Sequence, residues 1–200
     1  WVDDKGRLFN GDQLLYVLTL DRITQGEKVP GVVGTLMTNK AIEEGLLKLN
    51  INFLRSKVGD RYVLEELISQ GWVLGGEGSG HLLMLDKHST GDGLISALQV
   101  LQACLRMNST LDQLLQAVPL FPQCLLNISI PSNLDWRTHA EFQSRIKSVE
   151  KELGANGRVL IRESGTEPLL RIMVEAREEE LSVKYASYLA EPLSQFRNIE

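Results

Sequence analysis

The stretch VPGVVGTLMTNKAIEEGLLKLNINFLRSKV, residues 29–58, decides the fold. Val32 to Met37 is a short apolar run, and Thr38-Asn39 after it supplies two residue types that cap helices. Ile42, Leu46, Leu47 and Leu49 then recur at helical spacing, and Ile51 to Val58 returns to a strand-like pattern. The alternation continues outward. Tyr62 to Ser69 places Val63, Leu64, Leu67 and Ile68 on one helical face, and Trp72 to Leu74 and His81 to Leu85 read as further strands. A long helix is expected from Asp92 to Met107 and a shorter one from Leu111 to Val118. Strands alternating with helices of about ten residues predict an α/β domain whose mixed sheet is at least partly parallel.

Upstream, Asp3-Asp4-Lys5-Gly6 reads as the turn of a hairpin ending at Asn10, because these residues tolerate tight turns. Asp12 is expected to cap a helix carrying Leu14, Leu15, Val17, Leu18 and Ile23. Downstream, Pro119 and Pro122 stop the preceding helix and mark a domain boundary. Beyond them come a strand at Cys124 to Ile130, a helix over residues 136–153, strands at Arg158 to Arg162 and Leu169 to Ala176, and a helix from Arg177 that Pro192 should kink or end. The expected organisation is residues 1–20 as the tail of a preceding domain, 21–120 as the mixed-sheet α/β domain, and 121–200 as a smaller α+β domain. That last domain reads as βαββα, an antiparallel sheet with two helices.

Composition narrows the function. Over 200 residues, 21 basic side chains against 26 acidic ones leave a net charge of −5, which argues against nucleic acid held by bulk charge. Apolar residues at 43% and charged residues at 24% describe an ordinary globular chain. No apolar run approaches the roughly 18 to 20 residues that span a bilayer, so no membrane partner is expected. Cys104 and Cys124 are the only cysteines and lie far from any CxxC pattern, which argues against a disulfide framework or a zinc site and fits a reducing, cytoplasmic setting. The opening Trp1-Val2-Asp3-Asp4 carries no initiator methionine and no signal segment, so the chain reads as a piece of a longer protein.

Two loops carry chemistry. Gly75-Gly76-Glu77-Gly78-Ser79-Gly80-His81 lies between two strand candidates, which removes the helix N-terminus that a dinucleotide site needs. An extended segment would point Glu77, Ser79 and His81 to one side, a row of acceptors and donors suited to sugar hydroxyls. A glycine hairpin with a solvated Glu and a satisfied His fits the same residues. Arg162-Glu163-Ser164-Gly165-Thr166-Glu167-Pro168 joins two apolar strands. Ser164 and Thr166 offer hydroxyls, Gly165 lets backbone N–H groups converge, and Arg162 can grip a phosphate bidentately. Arg171 on the next strand can face the same ligand or pair with Glu167 or Glu175. A hairpin with surface charges is the alternative, and Glu163 and Glu167 speak for it.

Together, Gly76-Glu77-Gly78-Ser79-Gly80-His81, Thr90-Gly91-Asp92-Gly93 and the 162–168 loop resemble the α-D-phosphohexomutase superfamily. Within it they look closest to the bacterial branch that acts on glucosamine phosphates. Lys57-Val58-Gly59-Asp60-Arg61-Tyr62-Val63 and Gly34-Thr35-Leu36-Met37 extend the likeness along the chain. The resemblance implies interconversion of glucosamine 6-phosphate and glucosamine 1-phosphate through a sugar 1,6-bisphosphate, an isomerase activity feeding amino-sugar metabolism and cell-wall precursors. It implies that Glu77 and Ser79 contact sugar hydroxyls, with His81 supporting them and Asp60 and Arg61 bordering the cleft. Arg162, Ser164, Gly165 and Thr166 would hold the phosphate that is not transferred, so that two distant bends take opposite ends of one small anionic sugar. Gly78 departs from the larger residue usual in the family, and Asp92 is explained equally by helix capping. The family's Thr-Ala-Ser-His-Asn-Pro segment, with its phosphorylated serine, and its Asp-Gly-Asp-Gly-Asp-Arg segment, which binds Mg²⁺, are not in this sequence. The chain is therefore expected to carry no catalytic serine and no metal site, and to be inactive alone. A mutase for glucose or mannose phosphates shares the same residues, and a non-catalytic phosphosugar-binding module or a pair of structural domains are rivals of another class.

Overall fold

The structure, a computed structural model, describes residues 1–131, 134–164 and 167–196. The chain divides into two compact units, Trp1–Leu120 and Phe121–Glu200.

The first unit is built on the expected alternation. β1 (Gly31–Thr35) pairs in parallel with β2 (Asn52–Ser56) on one side and β3 (Leu74–Gly76) on the other, and β4 (Leu82–Met84) runs antiparallel to β3. The sheet order is β2-β1-β3-β4. Consecutive valines show how the sheet is covered on both faces. Val32 joins the core formed with α1 (Gly11–Thr24), α2 (Lys40–Lys48), α4 (Gly93–Arg106) and α5 (Leu111–Leu115), whereas Val33 meets Val63 and Leu67 of α3 (Asp60–Gln70) on the other face.

Helix starts follow local chemistry, with one correction. Asn10, not Asp12, caps α1. Its side chain accepts from the Gln13 amide at 3.1 Å while the Gln13 side chain accepts from the Asn10 amide at 3.0 Å, a reciprocal capping box. Asp12 therefore falls inside the first turn, buried, and its Oδ2 accepts from the amide of Asn39 at 2.9 Å. Asn39 in turn caps α2 by accepting from Ala41, and Asp92 caps α4 by accepting from Leu94 and Ile95. The amides of Ile95 and Leu94 hold the Asp92 carboxyl below the ordinary carboxylate range. α1 runs unbroken across residue 20, and Leu14, Leu15, Val17 and Leu18 enter the same core as Val32 and Leu74. A boundary at residue 20 would cut this helix.

At the chain start, Val2 and Leu8 form an antiparallel bridge. The Asp3 carboxylate accepts from the amides of Lys5 and Arg7 and from the Arg7 Nε, so it organises the turn rather than a metal.

The second unit has the expected βαββα order: β5 (Gln123–Ser129), α6 (Ala140–Leu153), β6 (Gly157–Glu163), β7 (Leu169–Ala176) and α7 (Glu179–Ala190). β7 is central, antiparallel to both neighbours in the order β5-β7-β6. Alternation sends Ile128, Leu170, Ile172 and Val174 into a core with Phe142, Val149, Leu153 and Leu189 of the two helices. α6 begins at Ala140, later than expected, because the Nδ1 of His139 accepts from the Phe142 amide and residues 136–138 form a turn. α7 ends at Ala190, and Pro192 lies in the 3₁₀ turn that follows.

A Cβ at Gly11 would lie 1.9 Å from the carbonyl oxygen of Glu77 and 2.7 Å from the Gly80 nitrogen, both backbone atoms that cannot swing aside. Gly11→Ala is expected to destabilise the chain by at least the ~1–3 kcal/mol typical of overpacking. Asn10→Ala should cost about 1 kcal/mol through the lost cap. Urea unfolding of both variants measures the two effects.

Candidate functional site

The C-terminal ends of β1, β2 and β3 point the same way, and the turns that leave them gather at one edge of the first unit. Open α/β sheets bind ligands at this edge, where neighbouring connections diverge. Here β1 is that point, since β2 lies on one side of it and β3 on the other.

Three sets of hydrogen bonds lock the turns together. The amide of Gly11 donates to the Gly78 carbonyl at 3.0 Å, tying α1 to the glycine-rich turn. The amide of Gly59, at the start of α3, donates to Glu77 Oε1 at 2.7 Å. Arg55 of β2 donates to the carbonyls of Thr35 and Thr38 at 3.0 and 2.7 Å and pairs with Glu43 at 2.7 Å, which pins the β1–α2 turn.

Glu77, Ser79 and His81 do not form a row on an extended segment. The Gly80 amide donates to the Glu77 carbonyl, and the Glu77 amide to the His81 carbonyl, both at 3.0 Å, so residues 77–81 close a tight turn between β3 and β4. Gly80 has φ +101°, a conformation open to glycine and strained for other residues. The Glu77 side chain is turned inward and only 8% exposed, whereas Ser79 and His81 stand at the rim. His81 Nδ1 lies 4.0 Å from Glu77 Oε2, the oxygen not engaged by Gly59. A Cβ at Gly78 would lie 3.4 Å from Asp12, an ordinary contact, so an alanine-sized side chain fits at this position. The Gly59 to Glu77 bond brings the turn before Asp60 and Arg61 to this edge. Asp60 is exposed, and Arg61 lies along α3, donating through Nε to Glu65 at 2.9 Å. Arg61 is thereby engaged in a solvent-facing helix pair.

In the second unit, the strand register places Arg162 directly opposite Arg171, with Asn127 opposite Arg171 on the far side. These residues share the sheet face away from α6 and α7. Two guanidinium groups opposite one another repel, and the Nε atoms of both are buried without a hydrogen-bond partner. Burial, and then the charge of Arg171, lower the pKa of Arg162. Arg171 does not pair with Glu175, which is fully buried and taken by Arg158 and by Gln123 at 2.5 Å. Its Nη2 instead reaches Ser164 Oγ at 3.5 Å. Gly165 and Thr166 lie outside the described residues.

A cavity of about 220 Å³ adjoins this loop, lined by Ile130, Pro131, Leu134, Glu163, Ser164, Glu167, Pro168 and Leu169. The contribution of Asn127 was not apparent from sequence, because only the register reveals which residue stands beside Arg171. Among the described residues, no group of three or more His, Cys, Asp or Glu side chains is placed to hold a metal ion. No helix among them is long and apolar enough to cross a membrane.

Comparison with known proteins defines the class. The family model of the phosphoglucomutase/phosphomannomutase α/β/α domain III matches residues 10–121, and that of the C-terminal domain of the same family matches residues 125–191. The chain belongs to the phosphoglucomutase/phosphomannomutase family. Among its relatives, the phosphoglucosamine mutase of Acidovorax sp. (strain JS42) is 63% identical over 190 residues, which are 95% of this chain and 43% of that protein. The chain thus spans less than half the length of the curated relatives it matches. The fold is also that of Aspergillus fumigatus N-acetylphosphoglucosamine mutase in complex with GlcNAc-6P and magnesium, with a TM-score of 0.77 at 18% identity, covering 96% of this chain and 48% of that one. A variant of the same fungal protein in complex with glucose 1,6-bisphosphate gives a TM-score of 0.77 at 18% identity, covering 100% of this chain and 46% of that one.

The bond from Gly59 to Glu77 yields a direct check on the first unit. Glu77→Ala leaves a part-buried amide without its acceptor and should cost about 1–3 kcal/mol, whereas Glu77→Gln keeps an acceptor oxygen and should retain most of that stability. Urea unfolding measures the difference, and hydrogen exchange at the Gly59 amide should accelerate in the alanine variant more than in the glutamine one.

Proposed function

We propose that this chain is the ligand-holding part of a phosphohexomutase that interconverts glucosamine 6-phosphate and glucosamine 1-phosphate through a sugar 1,6-bisphosphate. The observation that carries the reading is the opposed pair Arg162 and Arg171. Two arginines opposite one another in the strand register, with buried, unpartnered Nε–H groups, are stabilised by a dianion, and a planar guanidinium matches phosphate geometry. Ser164 adds a hydroxyl beside them, and Gly165 and Thr166 complete the loop in sequence. This cradle takes the phosphate that is not transferred.

The turn at residues 77–81 reads the sugar. Glu77 Oε2 accepts from a hydroxyl, Ser79 donates or accepts at the rim, and His81 supports Glu77; Asp60 borders the same edge. An intermediate that must be used in both orientations requires contacts that tolerate exchange of its two ends, and hydroxyl and phosphate contacts of this kind do so. Binding at the remote phosphate positions the reacting one. The amino-sugar assignment is supported by the relatives at about 60% identity that are named phosphoglucosamine mutase. The phosphoryl-carrying serine and the metal belong to segments outside this sequence, so the chain alone binds ligand without turning it over. Two cysteines without a CxxC pattern support a reducing, cytoplasmic setting for this work.

Calorimetric titration tests the assignment. Arg162→Ala should weaken binding of both glucosamine 6-phosphate and inorganic phosphate at least about tenfold, the size of a lost charge-assisted contact. Ser79→Ala should weaken the sugar phosphate alone. Equal affinities for both ligands in wild type and both variants contradict the reading.

A further inference from the structure

Glu163 poses a difficulty for an anion cradle, because it stands between Arg162 and Ser164 and a carboxylate there opposes a phosphate. The structure shows where that carboxylate goes. Strand alternation turns Glu163 to the face shared with Val159 and Ile161, which pack toward the helices, and away from the face of Arg162. Its Oε1 accepts from the indole Nε1 of Trp136 at 2.9 Å and from Arg137 at 2.7 Å. Trp136 is itself anchored, its ring meeting that of the fully buried Phe142 edge-on with centroids 6.1 Å apart. The Arg137 guanidinium lies 4.5 Å over the Trp136 ring, so the two donors hold each other in place. Their hydrogen bonds, Trp136 first, hold the Glu163 carboxyl below the ordinary carboxylate range.

We infer that Trp136 and Arg137 form a clip that positions Glu163 away from the Arg162–Arg171 cradle and offsets its charge, so that the cradle stays open to a phosphate dianion. The inference rests on the phosphate-binding reading of that cradle. The clip acts through Glu163 and not on the ligand, so both of its members are positioning residues. Arg137 and Glu163 have side chains 60% and 52% exposed, and exposed pairs contribute little to stability, so variants of the clip will fold.

The test uses the whole chain, inorganic phosphate as probe and low ionic strength, where exposed charges act most strongly. Trp136→Phe keeps the ring and the net charge while removing the indole donor, and combined with Arg137→Gln it dissolves the clip. The double variant should bind phosphate about three- to fivefold more weakly, the range of a partly exposed charge interaction. Adding Glu163→Gln should restore affinity to within about twofold of wild type, because the released carboxylate is the cause of the loss. Equal affinity in wild type and the double variant overturns the clip, as does a Glu163→Gln substitution that raises affinity as much in the wild type as in the double variant, since the carboxylate would then act alike with and without the clip. If the wild type binds no phosphate, or Arg162→Ala binds it as well as wild type does, the cradle reading fails and the clip falls with it. That result is distinct from failure of the clip alone.

Discussion

Two arginines stand opposite each other across an antiparallel strand pair, and the ligand-holding role proposed for the second unit depends on that opposition. Like charges directly opposite on a sheet are destabilising, and the buried Nε–H groups of Arg162 and Arg171 add the cost of unmet hydrogen bonds. The fold tolerates this because Ile172 and Leu170, the neighbours of Arg171 in sequence, are fully buried on the other face and hold β7 in register. Nearby carboxylates do not relieve the repulsion. Glu175 is committed to Arg158 and Gln123, and Glu163 to Trp136 and Arg137. The proposed anion site rests on this pair of like charges, whose strand neighbours Glu163 and Glu175 are both engaged elsewhere.

The first unit solves a different problem. The turn at residues 77–81 is both tight and held: glycine supplies the tightness at Gly80, while close packing of backbone on backbone supplies the hold at Gly11. The buried carboxylates serve the architecture. Asp12 bridges α1 to the start of α2, and one oxygen of Glu77 bridges to the start of α3, leaving the other toward His81. Rigidity of this kind limits the ordering that binding requires.

Much of this was legible in the sequence, for identifiable reasons. The strand and helix alternation from Val29 to Val58 carries a strong periodic signal, and the Pro119 to Pro122 punctuation coincides with the division of the chain after Leu120. The glycine-rich stretch at residues 75–81 is legible in the sequence, but the bond from Gly59 to Glu77 is not, because four glycines in seven residues permit a turn that folds this side chain inward. Asp12 was assigned a cap that belongs to Asn10, since both residue types cap and only the start of the helix distinguishes them. The sequence leaves open which way Arg171 faces, because the strand register that sets it opposite Arg162 is not readable from either strand alone. Trp136 and Arg137 gave no signal at all, being distant in sequence from Glu163 and brought to it by the turn before α6.

The most direct test is to watch the two arginine side chains themselves. In a nitrogen-resolved NMR spectrum the Nε–H signals of Arg162 and Arg171, assigned by substituting each with lysine, should shift together and exchange more slowly with water as glucosamine 6-phosphate is added, while those of Arg106 and Arg177 stay in place. If the sugar phosphate moves neither signal, or moves them no more than it moves Arg106 and Arg177, the opposed pair is not where this chain holds its ligand.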